Sequence, residues 1–213
     1  MITVKFFTFN PVEENTYILF NEAKEAIIID PGCYSNTEKE KVKDFIRKEN
    51  LKLVQLLNTH CHLDHVFGNQ WVYENYALEL FIHPNEEQVL NFAPQSAQMW
   101  GLRFENYDGL LHFINNNDKI QLGNNELKVL LAPGHSPGSV CFYNEEQGFV
   151  IGGDVLFKES IGRTDLPGGN HAALIESIRE QLFVLPDSVI VYPGHGAPTT
   201  IGHEKKHNPF LKN

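Results

Sequence analysis

Cysteine is scarce in this chain. Three of its 213 residues are cysteine, at Cys33, Cys61 and Cys141. An odd count without regular spacing argues against a disulfide framework. Basic residues are also few: 17 Lys and Arg stand against 27 Asp and Glu, for a formal net charge of −10. A nucleic-acid-binding surface needs clustered cations, so that task is excluded as the main one. Long apolar runs are missing too, and none approaches the length that spans a bilayer. The start, Met1-Ile2-Thr3-Val4-Lys5-Phe6-Phe7, lacks the basic flank, long apolar stretch and small-residue cleavage site of a secretory signal. A cytoplasmic protein with no membrane or nucleic-acid partner is therefore expected; oligomeric state is left open. There is no low-complexity segment and no linker. With 42% hydrophobic and 21% charged residues, the simplest organisation is one domain over 1–213, able to bury a real core.

What is present is histidine in a telling place. His60-Cys61-His62-Leu63-Asp64-His65 puts four metal-ligand side chains within six residues, directly after the apolar run Leu53 to Leu57. Imidazole nitrogen and carboxylate oxygen bind zinc and similar transition metals. Residues two apart in extended backbone point the same way, so His60 and His62 can share an ion. Cys61 then faces the other way and is expected to be a small buried residue, not a nucleophile. Asp64 and His65 fall where a helix starts, so they can aim at a neighbouring ion. Three further β-rich runs end in a Gly or Pro turn carrying one ligand-type residue: Gly134-His135, Gly153-Asp154 and Gly194-His195. Singly each is weak; four strand-end loops in one chain reinforce one another. His83, His112, His171, His203 and His207 lie outside such loops and are expected on the surface or in packing.

The order His-x-His-x-Asp-His, Gly-His, Gly-Asp, Gly-His resembles the metallo-β-lactamase superfamily, with Asn15-Thr16-Tyr17 and Asp30-Pro31-Gly32 extending the likeness toward the N-terminus. The resemblance implies an α/β fold, a four-layer αββα sandwich with metals at one edge. It implies two divalent ions, zinc first, with iron or manganese as alternatives. His60, His62 and His135 would hold one ion; Asp64, His65 and His195 would hold the other; Asp154 would bridge them. Asp30 would orient the ligand loop without binding metal. Two close divalent ions can share a bridging hydroxide as nucleophile, and Asp64 and Asp154 would be the catalytic carboxylates that hold it.

The block from Val155 to Gly169, with Gly162-Arg163-Thr164-Asp165, and the tail from Thr200 to Phe210 resemble the compact bacterial members of the glyoxalase II-like group. That likeness implies hydrolysis of a small-molecule thioester such as S-lactoylglutathione. Arg163 is the candidate substrate-binding residue, either on a carboxylate of the thiol carrier or paired with Asp165. The chain departs from full-length glyoxalase II by lacking a C-terminal helical domain, and Asp165 stands where that pattern has tyrosine. The alternative on the same scaffold is an iron persulfide dioxygenase using His60, His135 and Asp154. A lactonase or other metallo-hydrolase, and a scaffold without catalysis, are further readings.

Apolar spacing predicts an outer helix over Asn36 to Asn50, a helix from Val66 to Tyr76, a helix from Glu86 to Met99 interrupted at Pro94, and another from Ala172 to Leu185. Trp100 to Asn117 is expected to be irregular, and is either a packed connection or a wall of the substrate cleft.

Overall fold

The computed structural model describes residues 1–212. Its first sheet contains β1 (Ile2–Phe9), β2 (Glu14–Asn21), β3 (Glu25–Ile29), β4 (Lys52–Leu57), β5 (Leu80–Ile82) and β6 (Leu111–Phe113), side by side in that order. The first two pairings are antiparallel and the remaining three parallel. The second half supplies β7 (Lys119–Leu122), β8 (Asn125–Leu131), β9 (Val140–Asn144), β10 (Phe149–Gly153), a short hairpin of β11 (Leu156–Phe157) and β12 (Ser160–Ile161), then β13 (Ile190–Pro193) and β14 (Thr199–Thr200). The second sheet runs β14-β13-β10-β9-β8-β7.

Alternation along these strands builds the layers. Tyr17, Leu19, Ile27, Ile29 and Leu57 of the first sheet meet Leu122, Leu127, Val129, Phe142 and Ile151 of the second in a core between the sheets. Their neighbours Ile18, Ile28 and Leu56 face outward, onto helices. Val42 and Ile46 of α1 (Asn36–Glu49), Trp71 and Val72 of α3 (Asn69–Tyr76), and Leu90, Ala93 and Ala97 of α4 (Glu87–Trp100) cover them. On the far side, Leu130, Cys141, Val150 and Val191 pack under Leu174 of α5 (His171–Ser177) and Ile201 of α6 (Ile201–His207). The result is the expected αββα sandwich.

Three helical expectations change in detail. The Val66–Tyr76 segment is two pieces: α2 (Leu63–Val66), which begins inside the histidine motif, and α3. The break is at Gly68, whose N–H donates to Pro31 O at 2.6 Å and whose missing side chain makes room for Cys33 Sγ. The 87–100 helix is continuous through Pro94. Proline strips the Leu90 carbonyl of its intrahelical partner, and Asn106 Nδ2 donates to that oxygen at 3.2 Å instead. The 172–185 segment passes from α-helix into a wider π turn over Ile178–Leu182. Within 100–117, β6 adds an edge strand that composition alone did not signal, and the small elements β11, β12, β14 and α6 were likewise not anticipated. No helix among the described residues is long and apolar enough to cross a membrane.

Candidate metal centre

The ends of β4, β8, β10 and β13 open on one edge of the sandwich. β4 runs through Asn58 and Thr59 into His60, and extended backbone at His62 (φ −64°, ψ 152°) leads into α2. Asp64 and His65 ride on that first turn. His135 follows β8, Asp154 follows β10, and His195 follows β13. All seven sequence-predicted candidates are brought together.

At one end three ring nitrogens converge. His135 Nε2 lies 2.8 Å from His62 Nδ1 and 3.2 Å from His60 Nε2. In His135 and His60 the opposite nitrogen is already engaged. His135 Nδ1 donates to Arg163 O at 2.8 Å. Thr59 Oγ1 gives its proton to Asp30 Oδ2 at 2.6 Å, so at 3.1 Å it accepts from His60 Nδ1. A neutral imidazole has one N–H, so both Nε2 atoms turn lone pairs inward. Burial, with His135 alongside, depresses His62 to about 4, and burial with the neighbouring rings pushes His60 well below its ordinary value. Facing lone pairs at these distances repel unless a cation lies between them.

The other end is built the same way. His65 Nδ1 is 3.0 Å from Asp30 Oδ2, and His195 Nδ1 donates to Val12 O at 3.0 Å. Their Nε2 atoms face carboxylates: Asp64 Oδ2 is 3.1 Å from His195 and 3.5 Å from His65. Asp154 stands between the two ends. One of its oxygens is 3.4 Å from His65 Nε2, and the other is 3.5 Å from both His135 and His195. Burial opposes charge on His65, yet Asp64 and Asp154 outweigh it and hold the ring pKa well above normal. Burial alone would raise Asp154; His65 and its neighbours reverse that and hold it low.

These donors fit a metal pair. His65 Nε2 and Asp154 Oδ1 are buried with no hydrogen-bond partner, a costly state unless something else satisfies them. The triads His60/His62/His135 and Asp64/His65/His195 each bring their ligand atoms within 4.8 Å of one another. Asp30, His60 and His65 meet the same criterion, but Asp30 is spent. Its oxygens accept from Thr59 N–H (2.7 Å), Thr59 Oγ1, Asn58 Nδ2 (3.1 Å) and His65 Nδ1. It orients the loop, as expected from the sequence.

Other residues hold the loops in register. Asn15 Nδ2 donates to Pro193 O and Gly196 O, and Tyr17 OH to Pro193 O, which fixes the His195 loop. Gly194 lies so close to Asp154 Oδ1 that any side chain there would collide with it. Glu86 escaped the sequence reading. Its buried carboxylate accepts from Cys61 N at 2.7 Å, Ser136 Oγ at 2.6 Å and Gly138 N at 2.6 Å. One side chain thus ties the His60–His65 loop to the His135 loop. A lone Glu beside a helix start carries no sequence signal of that kind. Cys61 is fully buried in the helix-side core, where burial raises its thiol pKa, as suits a packing residue.

A cavity of about 750 Å³ opens over the cluster, with His62, Asp64, His135, Asp154 and His195 in its lining. Trp100 and Leu102 form part of its wall, so that portion of the 100–117 segment borders the cleft, while Tyr107 packs inward and donates to Leu110 O. Arg163 lies at the cavity too. Its guanidinium is exposed and forks onto Asp165 at 2.7 and 2.8 Å.

Comparison with known proteins agrees with this architecture. The metallo-β-lactamase superfamily model matches residues 10–195. A protein named hydroxyacylglutathione hydrolase GloC from Haemophilus influenzae is 37% identical over 203 residues, covering 93% of each chain. The crystal structure of BLEG-1 B3 metallo-β-lactamase superposes with a TM-score of 0.91 at 36% identity, covering 99% of this chain and all of that one. The structure of TTHA1623 in a di-iron-bound form gives 0.88 at 35% identity, covering 97% of this chain and all of that one. The chain belongs to the metallo-β-lactamase superfamily.

Proposed function

Within that superfamily, we propose that the chain is a thioester hydrolase of glyoxalase II type that works with two divalent ions. One observation carries the hydrolase assignment: four histidines have Nδ1 anchored outward and Nε2 turned on a shared space that Asp154 divides. His60, His62 and His135 would hold one ion, Asp64, His65 and His195 the other, and Asp154 would face both. When bound, such ions supply an activated water at neutral pH and an electrophilic site for a carbonyl oxygen. Zinc is the first choice, with iron or manganese as alternatives; the di-iron form of TTHA1623 keeps iron open.

The residues of the chain do the rest. Asp64 and Asp154 keep negative charge beside His65 and His195, so that end accepts a cation without a net charge imbalance. Asp30, Glu86 and Asn15 hold the ligand loops before substrate arrives, which lowers the cost of ordering at the moment of reaction. The cavity leaves room for an acyl group beside the cluster. In the reaction, water oxygen adds to the acyl carbon and the C–S bond breaks, giving carboxylate, thiol and a proton. A thiol pKa of ~8.5 makes the sulfur a competent leaving group with little help from an acid.

The thioester assignment is supported by the Haemophilus relative and by the Gly162-Arg163-Thr164-Asp165 segment. Arg163 would meet a carrier carboxylate by exchanging it for Asp165. The test is turnover of S-lactoylglutathione and other acyl thiols by protein whose metal content has been measured. Two ions per chain and thioester turnover are expected. Oxygen uptake with glutathione persulfide, one iron per chain and no thioester turnover would assign the chain instead to the persulfide dioxygenases.

A further inference from the structure

The cavity over the cluster is dressed unlike a site for a small polar acyl group. Its walls include Leu63, Phe67, Trp100, Leu102, Ile161 and Leu166. Away from the cluster itself, the polar side chains among its lining are Ser96, Ser160 and Arg163, and Arg163 is already held by Asp165 through two nitrogens. Trp100 is 67% exposed, a large apolar ring left beside the cavity mouth with area still to bury. A lactoyl group carries its hydroxyl on the carbon next to the carbonyl, beside the cluster, and its short chain would leave most of the apolar area wet. A linear alkyl chain would cover that area.

We propose that the acyl specificity of this site is for apolar, medium-length acyl thioesters, with the chain lying along the Trp100–Leu102 wall, and that short acyl groups, lactoyl among them, are poorer substrates. The inference rests on the thioester reading above and deepens it. Recognition then resides in the acyl half of the substrate more than in the thiol carrier, consistent with the lack of an unpaired cation among the lining residues.

The test uses metal-loaded protein and S-acyl-N-acetylcysteamines, whose carrier is uncharged. Acetyl, propanoyl, butanoyl, hexanoyl and lactoyl thioesters are compared, each rate normalised to its own uncatalysed hydroxide rate. Two- to fourfold in kcat/KM per methylene, the range expected for partial to full burial of CH2 groups, gives roughly 15- to 250-fold from acetyl to hexanoyl. Hexanoyl should exceed lactoyl, whose chain stops short of the Trp100–Leu102 wall. Trp100→Ala, at an exposed position that leaves the core untouched, should reduce the hexanoyl-to-acetyl ratio by roughly tenfold. A binding readout avoids the metal. Trp71 is buried (8% exposed) and Trp100 is not, so a non-hydrolysable S-hexyl thioether should blue-shift the emission of metal-free protein, and the S-methyl homologue should not. A flat chain-length profile, lactoyl preferred over hexanoyl, or no spectral response to the hexyl compound would overturn the proposal while leaving thioester hydrolysis standing. Hydrolysis of no thioester at all would overturn both.

Discussion

Replacing Glu86 by Gln tests whether one carboxylate sets the spacing of the two ligand loops. Oε2 of Glu86 accepts from Cys61 N, and Oε1 accepts from Ser136 Oγ and Gly138 N. An amide has one acceptor oxygen. If it keeps Ser136 and Gly138, its NH2 must face the Cys61 N–H, and a buried donor is left without an acceptor. That costs about 1–3 kcal/mol, and loss of carboxylate charge weakens the remaining bonds as well. A total of ~2–3 kcal/mol corresponds to a melting temperature lower by roughly 4–12 °C in a chain of this size. The strain falls on the two loops that Glu86 joins, which carry His60, His62 and His135. Metal affinity should therefore drop by ~10–100-fold, the usual effect of losing a partner just outside a ligand set. Calorimetric titration of metal into metal-free protein measures this directly, and Glu86→Asp serves as a charge-preserving control with the wrong reach. The same melting temperature and affinity in Glu86→Gln and the parent would refute the positioning role. A lower melting temperature with unchanged affinity would mean that Glu86 is only structural.

Asp154→Asn keeps the shape but removes charge from the position facing both triads; hydrolysis should fall by more than the ~100-fold upper range for an outer partner, with unchanged circular dichroism, and near-normal turnover would refute a shared role for its oxygens. Arg163→Ala should have a modest effect: the pair with Asp165 is exposed, and exchanging one carboxylate for another yields ~0–1 kcal/mol, so kcat/KM for a glutathione thioester should fall at most about fivefold, whereas the ten- to hundredfold loss expected if Arg163 were free would show that the fork with Asp165 opens at little cost. The metal-free protein should be most stable near the unperturbed histidine pKa of ~6.5. Below it, His60 and His62, held low by burial, stay neutral while the unfolded chain takes up protons, so stability falls as pH drops toward about 4. Above it, His65 and His195, held high because their carboxylate neighbours outweigh burial, lose protons and the stability those protons supplied. Metal should abolish the alkaline decline, since a cation replaces the protons on those rings; melting curves across pH with and without metal check both limbs.

What the sequence revealed and what it hid follow from the range of the interactions concerned. The candidate set was legible because four members crowd one strand end and the other three each follow a strand and a Gly turn, local patterns that survive without knowledge of the fold. Asp30 was legible through its place at the end of the Ala26 to Ile29 strand and through the family resemblance, and its four acceptor contacts fix the loop. The helix through Pro94 was misread because its remedy is distant: the orphaned Leu90 carbonyl is satisfied by Asn106, across a segment with no periodicity of its own. The split at Gly68 was hidden for a related reason, since it depends on a close approach to Pro31 and Cys33 that only the folded chain brings about.

Glu86 shows where local reasoning ends. It lies 26 residues after His60 and 49 before His135, next to a helix start, where a glutamate is unremarked in any chain. Its meaning comes entirely from three donors converging on it, two of them from a loop in the other half of the sequence. The anchors of the histidines span the same range: Thr59 beside His60 steers it, Arg163 O, 28 positions on, steers His135, and the anchor of His195 is Val12, 183 positions away. The pattern of ligand types therefore announces that a metal site exists. Which nitrogen each histidine presents is decided by its own anchor, within one half for His60, His65 and His135 and across the halves for His195, and it is this choice of nitrogen, together with Asp154 between the triads, that turns a cluster of polar side chains into a site able to hold two cations.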